Sequence, residues 1–356
     1  MMTGAPGLTG AAARALMDGR TLHDANVTNW PARMFLAHEL AALDVHPRSV
    51  SRAIERGELI RVKRGAYCPR GVWDAATDPE RHRFRVSAAA AAHPDVVFSH
   101  WSAAVLHGLP LIGPWPSTVH VAADRASGGR SEVGLTRHCR GLRAEEIVDL
   151  GTLRATAVER TLADLAVVQP FRFAASPADH ALRAGLTSRD ALIAHLEQPF
   201  RGRSRALQIA EFADGRAETP GESLSRATIH ILGFPIPLLQ VRHINGRHVE
   251  FTDFEWPDYG VIGEFDGLGK YLREELRGNR SVAHVVIDEK QREDRLRLSS
   301  GSRFARWGWD DALRMTPLRD ILMESGLPIV RAGLTDSRGR YGGPDRPYRT
   351  RERGLA

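Results

Sequence analysis

The sequence predicts an α+β protein of several domains, and three stretches support this prediction. A short helix, a turn, a second helix and a basic hairpin follow one another between about residues 30 and 75. Residues 76–170 alternate helical and strand-like segments, which is typical of a mixed α/β domain. Residues 248–271 predict two strands around a tight turn, with three carboxylates in an otherwise apolar hairpin. A separate sheet-containing domain is therefore expected at the carboxyl end.

Composition limits the classes of function. A chain of 356 residues is long for a single core, so two or three domains are expected. The net charge of +6 and the pI near 9.8 suit a polyanionic partner, although an evenly spread excess would indicate solubility alone. Cys68 and Cys139 lack metal-ligand spacing, which argues against a structural zinc site or a disulfide framework. No leader-like or membrane-length apolar run occurs, so we expect a cytoplasmic protein.

The first stretch has the pattern of a winged helix-turn-helix, predicted over residues 30–75. Pro47 is placed near the start of the second helix, predicted from Arg48 to Arg56, and Gly57 ends that helix. A basic strand and turn, residues 59–67, follows. The first helix is predicted from apolar residues at helical spacing: Phe35, Leu36, Leu40 and Leu43. Two helices and a basic hairpin in this order predict a module of the winged-helix type.

Positive charge is concentrated in this module. Between Arg48 and Arg70 there are seven basic and two acidic residues, nearly the surplus of the whole chain. Such a cluster favours contact with phosphates of double-stranded DNA, and the exposed face of the second helix is expected to contact bases. The alternative is a solvated basic surface without a partner. The candidate DNA-binding residues are Arg48, Ser49, Ser51, Arg52, Arg56, Arg61, Lys63 and Arg64.

Gly57 through Tyr67 carry a family resemblance. A short hairpin that ends in Arg-Gly-x-Tyr after the recognition helix is similar to the amino-terminal winged helix of AbiEi-type antitoxins. The resemblance implies transcription regulation, with a cognate toxin protein as a candidate partner. Residues 76–170 resemble the segment that follows this module in AbiEi-like proteins, and we expect a scaffold or interaction domain there. His100 and His107 are expected to be hydrogen-bonded packing residues rather than ligands.

The rest of the chain divides further by composition. Residues 1–29 are expected to form a flexible arm, 171–218 a helical connector, 219–325 a carboxyl-terminal α/β domain, and 326–356 a disordered basic tail. In the α/β domain, a turn centred on Asp258 places Trp256 opposite Val261 and Asp253 across from Glu264. Strand alternation then puts Asp266 on the face of Glu264.

Three acids on one face of a half-buried hairpin need protonation or a cation. Like charges across a sheet are destabilising, and half-buried carboxylates lose hydration. Oxygen ligands suit Mg²⁺ or Mn²⁺, which predicts a metal site and phosphodiester chemistry. The alternative is the solvated outer face of an amphipathic hairpin. The apolar residues on both sides of Glu264 favour the metal site.

Asp253 together with Glu264-Phe265-Asp266-Gly267 resembles the PD-(D/E)XK nuclease superfamily, and most closely the domains similar to very-short-patch-repair endonucleases. The similarity covers about residues 221 to 311 and implies a restriction-endonuclease-like α/β/α sheet. It implies Asp253 and Glu264 as metal ligands, the Phe265 carbonyl as a third ligand and Glu222 as an acid from the preceding helix. Asp266 occupies the position of the superfamily lysine, which Lys270 or Lys290 would have to replace.

Two functions follow from these patterns. In one, the winged helix delivers a Mg²⁺-dependent endonuclease to duplex DNA, with five candidate catalytic residues: Asp253, Glu264, Asp266, Lys270 and Glu222. In the other, the protein is a non-enzymatic AbiEi-like antitoxin or transcription regulator with a degenerate nuclease fold. The acid at position 266 favours the second function.

Overall fold

The structure is a computed structural model, and it describes residues 34–123, 131–245, 248–267, 292, 295–298 and 300–331. The chain forms two compact units, one of Met1–Leu109 with Pro114–Leu165 and one of Pro110–Gly113 with Ala166–Ala356. Within the described ranges, no helix has both the length and the apolar character that a membrane crossing requires. The finer division into six segments stays a prediction.

The amino-terminal module has mixed α and β structure. Its three strands form a sheet in the order β1-β3-β2, with both pairings antiparallel. The elements are β1 (Phe35–Leu36), α1 (Ala37–Ala42), α2 (Pro47–Glu55), β2 (Leu59–Lys63), β3 (Ala66–Pro69) and α3 (Arg70–Ala75). Two helices followed by a β-hairpin fit the winged-helix arrangement that the sequence predicts.

Local signals fix the ends of α2. Pro47 is its first residue, and the His46 imidazole accepts a hydrogen bond from the Arg48 N–H at 3.1 Å. Gly57 follows the helix with a φ of +74°, a backbone conformation that glycine adopts without strain. The predicted start of the first helix is wrong, because Phe35 pairs with Tyr67 as a strand and α1 begins only at Ala37. Cys68 is fully buried in β3.

The rest of the first unit is built around a five-stranded sheet in the order β6-β5-β4-β8-β7. Its elements are α4 (Asp78–Ala92), β4 (Val97–Phe98), α5 (His100–Leu106), β5 (Val119–Ala122), β6 (Leu135–His138), β7 (Ile147–Leu150), β8 (Leu153–Thr156) and α6 (Val158–Val168). The core contains Phe98, Val121, Leu135 and Ala155. His107 Nε2 donates a hydrogen bond to the Thr156 carbonyl, 2.7 Å away, as expected of a packing residue.

A helical segment opens the second unit, with α7 (Phe171–Arg183), α8 (Arg189–His195) and α9 (Arg203–Phe212). α7 begins directly after Pro170 and contains Pro177 in its interior. Pro177 removes one backbone hydrogen bond from that helix. Asp179 of α7 is fully buried and receives a hydrogen bond from the Arg226 guanidinium at 2.6 Å.

The carboxyl-terminal sheet has the strand order β9-β10-β11-β12, in which only the β11–β12 pair is parallel. Its elements are α10 (Pro220–Leu232), β9 (Leu238–Asn245), β10 (His248–Trp256), β11 (Val261–Phe265), β12 (Arg303–Trp307), α11 (Trp309–Arg314) and α12 (Thr316–Glu324). Trp256 pairs with Val261, which confirms the predicted register of the hairpin. Leu224, Phe254 and Trp307 lie in the core of this unit.

One residue divides the last helical stretch of the second unit. Met315 has a φ of +65° and separates α11 from α12, because a non-glycine residue in this conformation interrupts helical hydrogen bonding. Several predictions lie outside the described residues: those for the amino-terminal arm, Lys270, Lys290 and, from residue 332 onward, the basic tail.

Candidate DNA interface and carboxylate site

The winged-helix module presents its basic side chains on α2 and on the β2–β3 hairpin. Val50 and Ala53 of α2 and Leu59 of the hairpin are buried in one small core, so the two elements pack against each other. Of the predicted DNA-binding residues, Ser49 and Lys63 are half-buried, and the others are exposed: Arg48, Ser51, Arg52, Arg56, Arg61 and Arg64. The module therefore carries several guanidinium groups in contact with solvent, as an interface with phosphates requires.

Arg56 differs from its neighbours. Its guanidinium donates two hydrogen bonds to the Glu58 carboxylate, at 2.6 and 2.8 Å. This bidentate pair neutralises the charge of Arg56 locally, and a phosphate would have to displace Glu58. Arg56 is therefore a weaker candidate for DNA contact than Arg48 or Arg52.

A second candidate site lies where α10 meets the carboxyl-terminal sheet. Glu222 stands in the first turn of α10 and is buried. Its N–H donates to the Thr219 hydroxyl at 3.2 Å, and its carboxylate accepts from the same hydroxyl at 2.9 Å and from the Glu218 N–H at 2.9 Å. The reciprocal bonds form a helix cap, which fixes the carboxylate in place.

Gln240 of β9 joins Glu222 to Asp253 of β10. Its side-chain amide donates to a Glu222 oxygen at 3.0 Å and to Asp253 Oδ1 at 3.4 Å. The Phe265 N–H donates to the other Asp253 oxygen at 2.9 Å. Gln240 also has a φ of +50°, which is uncommon for a residue with a side chain and is frequent at functional sites. The two carboxylates thus both accept from the same amide nitrogen of Gln240.

Burial raises the pKa of Asp253 from 3.8 to about 6. The Phe265 N–H opposes this shift, whereas the negative charge of Glu222 adds to it. A raised pKa shows that the negative charge at this position is only partly compensated. Two fixed carboxylates whose negative charge is only partly compensated offer the oxygen ligands that Mg²⁺ and Mn²⁺ prefer.

The structure does not bring the predicted acids Asp253, Glu264 and Asp266 to one point. The Arg292 guanidinium occupies both oxygens of buried Glu264, at 3.0 Å each. β11 ends at Phe265, so Asp266 leaves the strand alternation and is exposed. The Phe265 carbonyl, predicted as a ligand, accepts the Gly267 N–H at 3.0 Å. The predicted convergence of the three acids is therefore wrong. Arg292 neutralises Glu264, and Asp266 lies beyond the end of β11.

Sequence reasoning missed Gln240 and Arg292. A polar residue after Leu238 and Leu239 was a signal for the first, since it interrupts an apolar strand. Arg292 gave no local signal, because its acidic partner lies 28 residues earlier in the chain.

Residues 33–70 match a family described as "Transcriptional regulator, AbiEi antitoxin". The matched segment runs from the start of the described chain to the end of the β2–β3 hairpin. It is an AbiEi-type regulator domain. The match supports the prediction that this segment belongs to a DNA-binding regulator. The matched residues include all eight predicted DNA-binding positions.

Two relatives share a longer segment with this chain. Both are described as uncharacterized proteins of Mycobacterium tuberculosis, one from strain CDC 1551 and one from strain H37Rv. Each is 32% identical over 106 residues, which is 26% of this chain and 39% of the relative. The chain thus spans well under half the length of these relatives.

Proposed function

We propose that this protein regulates transcription by binding duplex DNA through α2 and the β2–β3 hairpin of the AbiEi-type domain. The observation that supports the proposal is the set of exposed arginines on this module: Arg48, Arg52, Arg61 and Arg64. Among the described residues, none of the four forms an ion pair with a carboxylate. Their guanidinium groups are available to phosphates, and binding would release counterions from the DNA.

The two elements have different tasks in this proposal. Arg61 and Arg64 on the hairpin contact the backbone, which positions the module without sequence information. Arg52 on the exposed side of α2 contacts a phosphate as well, and Ser51 beside it faces base edges in the major groove. A cognate toxin is the candidate protein partner that the antitoxin family suggests, and co-purification with the product of a neighbouring gene tests it.

Fluorescence anisotropy with the full chain and labelled duplexes tests DNA binding. The double variant Arg48→Glu/Arg52→Glu should lower the affinity at least about tenfold, because each lost phosphate or base contact costs on the order of 1–3 kcal/mol. Arg314→Glu reverses an exposed charge on a helix of the second unit, outside the proposed interface, and should bind like the parent protein. Equal affinity of all three proteins would contradict the proposal.

A second function is favoured by the arrangement of Glu222, Gln240 and Asp253. We infer that Glu222 and Asp253 bind Mg²⁺ or Mn²⁺ and that the carboxyl-terminal domain hydrolyses phosphodiester bonds. The bound cation would supply electrostatic stabilisation of the phosphate. Gln240 orients both carboxylates, and the Phe265 N–H holds Asp253 in place. Glu264 would bind the cation only after giving up its ion pair with Arg292. The proposed lysine, Lys270, lies outside the described residues.

Supercoiled plasmid separates the enzyme from the regulator. The full chain is incubated with plasmid with and without Mg²⁺ or Mn²⁺, beside Asp253→Ala and the control Asp258→Ala in the exposed turn of the same hairpin. Metal-dependent nicking that Asp253→Ala abolishes and Asp258→Ala retains supports hydrolysis. A gel shift without nicking in any protein refutes hydrolysis and leaves the regulatory function standing.

A further inference from the structure

Three histidines meet in the first unit, in a region to which neither DNA binding nor hydrolysis has been attributed. His120 lies on β5, His138 is the last residue of the adjacent strand β6, and His100 begins α5 directly after β4. One ring nitrogen of each histidine lies within 4.8 Å of the other two. Among the described residues, no other group of three or more His, Cys, Asp or Glu side chains has its possible ligand atoms this close together.

The rings are packed tightly. His120 Nδ1 lies 2.8 Å from His138 Nε2, and the rings of His100 and His138 stack with 3.7 Å between their centroids. Three imidazole nitrogens around a tetrahedral Zn²⁺ lie at about 2.0–2.1 Å from the ion, which places them about 3.4 Å apart. The observed distance between the His120 and His138 nitrogens is shorter than this value, so these two rings would have to move apart and turn to bind one ion together.

Two features of the cluster are costly without a ligand. His120 Nε2 is buried and has no hydrogen-bond partner within the described part of the chain. A buried polar nitrogen without a partner loses its hydration and gains nothing in return. His100 has a φ of +50°, although it carries a side chain, and such backbone strain clusters at ligand-binding positions. The unsatisfied nitrogen is not the Nδ1 that contacts His138, so His120 would bind the cation through Nε2.

The surroundings neutralise other charges near the rings. Arg160 contacts Glu146 at 2.8 Å and Asp164 at 3.0 Å, and Arg140 contacts Asp164 at 2.5 Å. Arg143 also contacts Glu146 at 3.2 Å and Glu145 at 3.4 Å, so three guanidinium groups face three carboxylates. Asp164 lies 4.0 Å from His100 Nδ1, beyond hydrogen-bond distance, and the Ser99 hydroxyl, 3.1 Å from the same nitrogen, is the group that orients the ring. Burial lowers the pKa of all three histidines, and neutral imidazole is the form that binds metals.

We propose that His100, His120 and His138 form a binding site for a first-row transition-metal cation of the Zn²⁺ class. Three nitrogen donors without a carboxylate select Zn²⁺, Co²⁺, Ni²⁺ or Cu²⁺ over Mg²⁺ and Ca²⁺, which require oxygen ligands. Three protein ligands leave the fourth tetrahedral position open to water or to a small anion. The site is separate from the Glu222–Asp253 pair and does not depend on DNA binding.

Metal titrations of the chelator-treated full chain test the site. Isothermal titration with Zn²⁺ and visible absorption with Co²⁺ should each give one equivalent of tight binding, and the Co²⁺ spectrum should have the intense bands of a tetrahedral site. His138→Gln, at the most exposed of the three ligands, should weaken the affinity by at least about 100-fold, because even residues that only orient a ligand are worth about 10–100-fold. His107→Gln, a half-buried histidine bonded to a backbone carbonyl, is the matched control and should bind like the parent protein.

The outcome is interpretable even where a variant is unstable. Circular dichroism establishes whether His138→Gln is folded, and His120→Gln is the second variant if it is not. Absence of Co²⁺ absorption and Zn²⁺ heat in the parent protein would overturn the proposal. Binding in His138→Gln or His120→Gln equal to that of the parent would overturn it as well, since the metal would then bind elsewhere.

Discussion

The pairing of Arg56 with Glu58 leads to a quantitative prediction about DNA binding. Arg52 and Arg56 lie one helical turn apart and are both exposed, but only Arg56 is held by a carboxylate. Arg52→Ala should therefore remove a phosphate or base contact, whereas Arg56→Ala should remove none. The two substitutions delete the same side chain, so the comparison isolates the effect of the Glu58 carboxylate.

The size of the difference follows from the number of available cations. Five basic side chains on the module lack a bonded carboxylate among the described residues: Arg48, Arg52, Arg61, Lys63 and Arg64. If all five contact phosphates, the logarithm of the binding constant falls with the logarithm of salt concentration with a slope of about −4.5. Affinity then drops about 500-fold between 50 and 200 mM salt. With Arg52→Ala the slope becomes about −3.6, and the drop becomes about 150-fold.

Fluorescence anisotropy at four or five salt concentrations measures the slope for the parent protein and both variants. We expect the slope of Arg56→Ala to equal that of the parent and the slope of Arg52→Ala to be shallower by about one. Equal slopes for the two variants, or a larger change for Arg56→Ala, would refute the assignment of the interface to the free guanidinium groups.

Three further predictions concern the second unit. Asp179→Ala leaves the buried Arg226 charge without its carboxylate and should lower the free energy of unfolding by about 3–5 kcal/mol, measured by urea denaturation. Asp253 has a raised pKa in the folded state, so the stability it contributes is complete below about pH 4 and is lost as pH rises through about 6. Asp253→Asn should therefore gain on the order of 2–3 kcal/mol relative to the parent between pH 4 and pH 7 in metal-free urea denaturation. Gly221→Ala would place a methyl group 2.0 Å from the Phe265 ring and should cost about 1–3 kcal/mol in thermal unfolding.

Each of these predictions has a matched control. Asp320→Ala breaks an exposed ion pair with Arg319 and should cost less than about 1 kcal/mol. Asp258→Asn, in the exposed turn, should leave the free energy of unfolding at pH 7 nearly unchanged. Gly71→Ala adds a methyl group to open space and should leave the melting temperature nearly unchanged. A control that behaves like its paired variant would contradict the structural reason given for that variant.

Short-range signals predicted much of the structure. Residues 257–260 form a tight turn between two strands, which fixes Trp256 opposite Val261 without any long-range information. Thr219 and Pro220 begin α10 as a hydroxyl cap followed by a proline, which is a pattern readable from four residues. Such elements were predictable because their decisive contacts lie within a few positions of one another.

Contacts between distant segments were not predictable in this way. Phe35 and Leu36 have helical spacing with later leucines. They nevertheless pair as a strand with β3, about 30 residues away, because this pairing supplies hydrogen-bond partners for their backbone groups. Gln240 meets its two acids across 18 and 13 residues, and the cluster of His100, His120 and His138 depends on the order of three strands. Periodicity predicts the face of an element but not its neighbours.

The buried thiol in the hairpin of the AbiEi-type domain offers a practical advantage. Burial raises the pKa of Cys68 to about 11, so near pH 8 only about one molecule in a thousand carries the thiolate that reacts with maleimides or iodoacetamides. Cys139 is half-buried and follows His138 directly, so a dye can be coupled there without removing any cysteine. A fluorophore at that position would report on events around the three imidazoles while the hairpin keeps its native residues.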